Sequence, residues 1–365
     1  MRLSDRQGEF LIRILRAWKG SYFGKGALAC LGLSGLVLSP NLIWVLASWW
    51  TGTPLNDALA QSGLTPVHWV FAAALVACAM ALLLTMYWQV HRPEKAAVIA
   101  VRHQSFDGNT HPLTEAELPD DHRGCLVLGM EIDQTEFAHN GKMIDPAAAL
   151  KKQLALAGQL KMHLSMVKDA TLVYYGKAHI PLAFAAGYSA QSDTPLRLYE
   201  LDRNNGGWRR IDEVARGEDL KVTVKERGEL KRGGIAAIRI SISYLVGEAE
   251  VDERLGEAYA DYHLQIATPK IDVVASRRQV EEIAGKFREL VDRLRNSAEA
   301  PREIHVFCAA PMCVVFSLGR RVSPTLHPAI FVHNYNAAFT PKYAWGVQIT
   351  GAAEPRVVEA ERQTA

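Results

Sequence analysis

Two long stretches without a charged residue constrain this chain more than anything else in it. "ALACLGLSGLVLSPNLIWVLASWW", Ala27 to Trp50, and "VHWVFAAALVACAMALLLTMYWQV", Val67 to Val90, contain no Asp, Glu, Lys or Arg. At about 1.5 Å of rise per residue, either stretch covers a hydrocarbon core of about 30 Å. Trp44, Trp49 and Trp50 in the first and Trp69 and Trp88 in the second stand near segment ends, where interfacial aromatics belong. The pair reads as two transmembrane helices spanning 27–90 with a short loop between them. A cleaved leader fits poorly, because the first apolar run starts late and the second follows closely.

Charge sets the orientation. Residues 1–26 carry Arg2, Arg6, Arg13, Arg16, Lys19 and Lys25, the loop "TGTPLNDALAQSGLTP" carries neither Lys nor Arg, and Arg92 and Lys95 follow the second run. The positive-inside rule places both termini in the cytoplasm and the loop outside. Within the basic segment 1–26, Phe10, Leu11, Ile14, Leu15 and Trp18 share one helical face. That face suits the inner leaflet, or packing against the chain's own soluble part. Pro40 predicts a kink in the first span. Asn41 beside it is expected to bond within that kink or to another helix.

From residue 95 to about 350 the pattern changes. Apolar runs such as "KAAVIAVRH", "ATLVYY", "LRLYEL", "EIHVFCA" and "AIFVHNY" read as strands. Residues 146–166, 179–190, 276–296 and 311–321 read as helices. Alternation of the two predicts an α/β fold with parallel sheets and helices on their faces. Two segments echo each other: "TLVYYGKAHIPLAFAAGYSAQSDTPLRLYELDR" and "EIHVFCAAPMCVVFSLGRRVSPTLHPAIFVHNYN". Each is a strand, a turn, a small-residue helix ending at Gly187 or Gly319, a proline-bearing loop and another strand. Phe184 and Phe316 each stand three residues before the glycine. The echo predicts two fused Rossmann-like subdomains, about 95–228 and 233–350, with the turn-rich "ERGELKRGG" between them and a flexible tail over 351–365. Such sheets bind ligands beyond the carboxyl ends of their strands, beside helix N-termini.

Catalytic signatures are missing from the sequence. "GYSAQ", Gly187 to Gln191, lacks the last glycine of G-x-S-x-G and falls at a helix C-terminus. No P-loop and no G-x-G-x-x-G occurs. His103, Asp107 and His111 match no usual metal spacing, so no metal and no cofactor is expected. The five cysteines form no CxxC pair, and Cys308 and Cys313 read as small core residues. Lys and Arg total 41 against 39 Asp and Glu, which gives no global attraction to a DNA or RNA polymer.

The second echo, with "AAP" after a strand, an apolar helix ending "LGR", a strand leading to Tyr335, and "KYAWGVQIT", resembles the end of a SAVED domain. These are the sensor domains of bacterial CBASS anti-phage systems, and with two spans in front the chain resembles the two-transmembrane SAVED effectors. The resemblance implies two fused CARF-like units that bind a cyclic di- or oligonucleotide. It further implies ligand-induced homo-oligomerisation, and disruption of the inner membrane in abortive infection. On that reading the Ala-Ala-Pro turn lets a nucleotide approach the backbone, and the helix after it offers N–H groups.

Strand ends then give the expected ligand contacts: His103, Gln104, Gly176, Lys177, His179 and Arg203 from the first half. Ala309, Ala310, Pro311, Met312, Asn334, Tyr335 and Asn336 are expected from the second. Lys177 and Arg203 are assigned to phosphate, Tyr335 to base stacking and Asn334 to a base edge. Trp345 reads as pocket wall or core, and Arg320 and Arg321 as a helix cap or a subunit contact. No enzyme activity is expected; the alternative is a membrane-anchored ring nuclease cleaving cyclic oligonucleotides, and a third reading is a scaffold that binds no nucleotide.

Overall fold

The computed structural model describes residues 74, 77–82, 84, 97–106, 111–114, 117–118, 125–167, 170–191, 194–202, 207–211, 219–256 and 258–360. The chain divides into two units, Met1–Glu94 and Lys95–Ala365. Most of the two apolar runs, and all of residues 1–26, lie outside the described residues. Those described between 74 and 84 are helical. Among the described residues no helix is long and apolar enough to cross a membrane.

The second unit is built from two parallel-centred sheets. In chain order the strands of the first half are β1 Val98–Gln104, β2 Val127–Asp133, the short pair β3 Ala138–His139 and β4 Lys142–Met143, β5 Thr171–Lys177, β6 Leu196–Leu201 and β7 Trp208–Arg210. Those of the second are β8 Thr223–Arg227, β9 Ile235–Ser241, β10 Tyr259–Gln265, β11 Glu303–Ala309, β12 Ala329–Asn334, β13 Trp345–Gln348 and β14 Arg356–Glu359. The helices are α1 Pro146–Met166, α2 Ile180–Ser189, α3 Glu248–Leu255, α4 Arg277–Asn296 and α5 Met312–Arg320.

The sheet orders are β2-β1-β5-β6-β7 and β14-β13-β12-β11-β9-β10-β8. Leaving aside the added edges β8 and β14, the second order repeats the first strand for strand. The inner strands are parallel, and β7 and β13 run antiparallel. The internal echo therefore extends over both halves. The boundary differs from the expected one: β8 runs into the start of "ERGELKRGG" from the first-half side yet pairs with β10 of the second sheet. The expected flexible tail contains β14, which pairs with β13.

Local sequence explains the helix starts. Asp145 accepts the Ala148 N–H at 2.9 Å ahead of Pro146, whose missing N–H costs nothing in a first turn. Ser276 and Gln279 form a reciprocal capping box at α4. The halves are joined through α2 and α5, which pack closely on each other; α2 also contacts β12 and β13, and α5 contacts β5 and β6. A Cβ on Gly187 would overlap the Phe316 carbonyl oxygen, and one on Gly319 the Phe184 carbonyl oxygen. Glycine is what lets the two backbones meet. Tyr174 stacks on Phe316 at 3.8 Å across the junction, inside one continuous apolar core.

The other face of the second sheet is buried but polar. Arg239 forms a bidentate pair with Asp261, Nε to Oδ1 at 2.8 Å and Nη2 to Oδ2 at 2.6 Å. Ser241 bonds His263 at 2.8 Å. His305 bonds His333 at 2.9 Å, and Val246, Val251 and Tyr343 cluster with Phe307 of β11 on this face.

Candidate functional site

A cavity of about 830 Å³ opens where the carboxyl ends of β5, β6, β9, β11 and β12 converge. The first half contributes Gly176, Lys177, Glu200 and Leu201. The second contributes the loop after β9, the turn after β11, and Asn334 and Tyr335 after β12. This is the crevice position where strand order reverses in doubly wound sheets, assembled here from two sheets at once. Its size falls within the range of small-molecule sites.

Of the residues expected from sequence, Gly176, Lys177, Ala309, Ala310, Pro311, Met312, Asn334 and Tyr335 line the cavity. Lys177 stands 5.6 Å from the centroid of the Phe106 ring, a cation–π contact at the rim. Tyr335 is 45% exposed and meets Tyr343 edge to face.

Five expected contacts are not placed at the cavity. His103 is fully buried: its Nε2–H donates to Gln134 Oε1 at 2.9 Å, and its Nδ1 accepts from the Tyr174 hydroxyl at 3.0 Å. Gln134 continues to Gln153, and Gln153 to the Leu182 carbonyl, so the ring belongs to a satisfied internal chain. Burial pushes the His103 pKa down to about 4, with the Gln134 bond opposing. Gln104 is also buried and does not line the cavity. His179 caps α2, stacks on Phe106 at 4.0 Å and bonds Ser105 at 2.7 Å. Asn336 holds the turn after β12 through the Ala338 N–H. Arg203 lies outside the described residues. Trp345 is core rather than cavity wall.

The start of α5 differs from expectation in its chemistry. The Glu200 carboxyl accepts the Cys313 N–H at 3.2 Å, so the helix N-terminus is already occupied by a side chain of the protein. Burial raises the Glu200 pKa, and the N–H bonds from Cys313 and Met312 partly offset that rise. Glu250 and Asp272 also line the cavity, so one described cation, Lys177, faces three carboxyl groups.

Part of the lining that sequence reasoning missed follows the same strand-end rule. Ser243–Gly247 come directly after β9, but "GGIAAIRISISYLV" reads as one unbroken strand, which hides the loop. Arg239 Nη1 donates to Val246 O at 2.9 Å, and Val246 N donates to Ser241 Oγ at 2.9 Å, fixing the loop from below. Phe106 follows the carboxyl end of β1, whereas Glu250, Asp272 and Tyr343 come from segments with no strand-end signal.

The family described as "SMODS-associated and fused to various effectors sensor domain" matches residues 156–349. The chain belongs to the SAVED family. The SAVED match runs from within α1 to the residue after β13, and so includes the α2–α5 junction and most of the cavity lining. No curated protein matches. Among solved structures, the chain resembles an Acinetobacter baumannii Cap4 SAVED/CARF-domain containing receptor with the cyclic trinucleotide 2'3'3'-cAAA. Identity is 13% and TM-score 0.45, over 78% of this chain and 62% of that one. A Moraxella osloensis Cap4 SAVED/CARF-domain containing receptor gives 14% identity and TM-score 0.45, over 78% of this chain and 61% of that one.

Proposed function

We propose that this SAVED chain is a sensor that binds a cyclic oligonucleotide in the 830 Å³ cavity. The carrying observation is that both sheets deliver their strand ends to that one cavity. On this reading Lys177 takes a phosphate, Tyr335 stacks on a base, and Glu200 and Glu250 accept from exocyclic amines. Binding proceeds without turnover. The two apolar runs anchor the chain in the inner membrane with both termini cytoplasmic. Binding assembles several chains, and assembly disrupts the bilayer in a CBASS response; two spans per chain cannot enclose a pore alone.

The test is calorimetric titration of the full chain in detergent with a panel of cyclic di- and trinucleotides, including 2'3'3'-cAAA. Saturable binding of a panel member, its recovery intact after long incubation, and a larger particle by light scattering are expected. No binding across the panel removes the reading, and linear products replace it with a ring nuclease.

A further inference from the structure

Matching strands of the two sheets end in loops that each bring an aromatic residue to the cavity. β1 and β9 hold the same place in the repeated strand order. Phe106 follows the end of β1, Tyr244 follows the end of β9, and both line the cavity. The two rings are held differently. Phe106 lies flat on His179 at 4.0 Å, with the Lys177 ammonium 5.6 Å from its centroid. Among the described residues Tyr244 has no ring contact and its hydroxyl has no hydrogen bond. It is 55% exposed, and Leu245 beside it is 69% exposed.

That exposure is not scattered over the surface. Among the described residues the exposed Phe, Tyr and Trp side chains are Tyr244 and Tyr335, and both line this one cavity. Large apolar groups left in water around a concave site mark where a ligand covers them.

Nor does it come from a slack loop. The Ile242 and Ser243 N–H groups both donate to the Ala309 carbonyl, at 3.0 and 2.8 Å. The Val246 N–H donates to Ser241 Oγ, and Val246 O accepts from Arg239, each at 2.9 Å. Only Tyr244 and Leu245 lie between these anchors. Behind them Arg239 is locked to Asp261, and Ser241 to His263. The buried polar layer thus holds two apolar side chains out over the cavity. A tip fixed in this way has little freedom left to lose when a ligand covers it.

We propose that Tyr244, extended by Leu245, is a second base-stacking platform beside Tyr335, so that the cavity grips its ligand by two bases. The inference rests on the reading of the cavity as a site for a nucleotide ring, and adds which part of the ring is held. β9 and β12 flank β11, so the two tyrosines spring from strand ends about 9.5 Å apart, two strand spacings. That separation suits two bases of one ring.

The experiment titrates the full chain in detergent with cyclic di-adenylate, cyclic di-guanylate, cyclic di-uridylate and cyclic tri-adenylate. The ring that binds most tightly is then titrated into variants. Tyr244→Ala and Tyr244→Leu are each expected to weaken binding about tenfold, as loss of one stacked base does. Tyr244→Phe keeps the affinity, because it keeps the ring. Melting temperatures of the ligand-free variants match the wild type, since the side chain is exposed. A wild-type chain that binds none of the four rings removes the nucleotide reading and this inference with it. Binding unaltered in Tyr244→Ala or Tyr244→Leu overturns this inference alone. So does a loss in Tyr244→Phe equal to that in Tyr244→Ala, or a loss of affinity matched by a fall in melting temperature.

Discussion

Lys177 and Glu200 show what a single position reveals. Lys177 ends β5 and was legible from sequence, because a cation at a strand's carboxyl end fits the crevice rule. If it holds phosphate, Lys177→Ala weakens cyclic trinucleotide binding by about 1.5–3 kcal/mol in a titration. The melting temperature barely moves, since the side chain is exposed. Glu200 was not legible: inside "LRLYEL" it reads as one polar position of a half-buried strand. Only the packing of α5 against the first sheet brings its carboxylate to the Cys313 N–H. Its folded pKa lies above its unfolded one, so ionisation opposes folding at neutral pH. Glu200→Gln keeps an acceptor for Cys313 and removes that opposition. Thermal melts are expected to show stabilisation near pH 7.5 that shrinks towards pH 4, where the native carboxyl is already protonated. A gain that does not change with pH contradicts this account.

At the scale of elements, the crossing of α2 and α5 is the most exacting part of the fold. Gly187 and Gly319 each face a carbonyl oxygen of the other helix, which cannot yield without moving that backbone. Gly187→Ala or Gly319→Ala is expected to destabilise the protein by about 1–3 kcal/mol, the cost of overpacking, despite alanine's better helix propensity. Urea denaturation measures it; a stabilised variant would mean the crossing is loose. This junction was half visible in the sequence, as the shared spacing of Phe and Gly. Other elements were hidden for a physical reason. In β10, "YADYHLQ", Ala260, Tyr262 and Leu264 face the apolar core, while Asp261 and His263 face the buried polar layer. Pairing to Arg239 and Ser241 makes a charged residue tolerable there, and sequence alone does not show a partner on another strand. α3 was equally faint, because only Val251 of its eight residues is buried.

For the molecule as a whole, the buried histidines set the response to acid. His103 and His263 both have pKa values pushed down to about 4, chiefly by burial. The unfolded chain binds their protons near pH 6.5, the native state near pH 4. Stability therefore falls as pH drops through that window, by up to about 1.4 kcal/mol per unit for each group. Asp133 and Asp292 have lowered pKa values and act in the same direction at still lower pH; Glu200 acts the other way. The midpoint of urea unfolding is expected to fall steadily from pH 7 to pH 4. His103→Gln should flatten that fall, at some loss of stability near pH 7. A midpoint independent of pH would show that the native state accepts protons at these rings without cost.

The duplicated scaffold does not carry duplicated chemistry. Lys177 and Ala309 are the last residues of two matching seven-residue strands, and both line the cavity. An ammonium thus occupies one lobe where a methyl group occupies the other. If a ring of identical nucleotides binds there with Lys177 on a phosphate, it loses its rotational equivalence, because one phosphate is singled out. It can be seated in as many indistinguishable ways as it has nucleotides. For a three-membered ring that degeneracy alone favours the homo-oligomer about threefold over a ring that must present one particular phosphate, before any base is read.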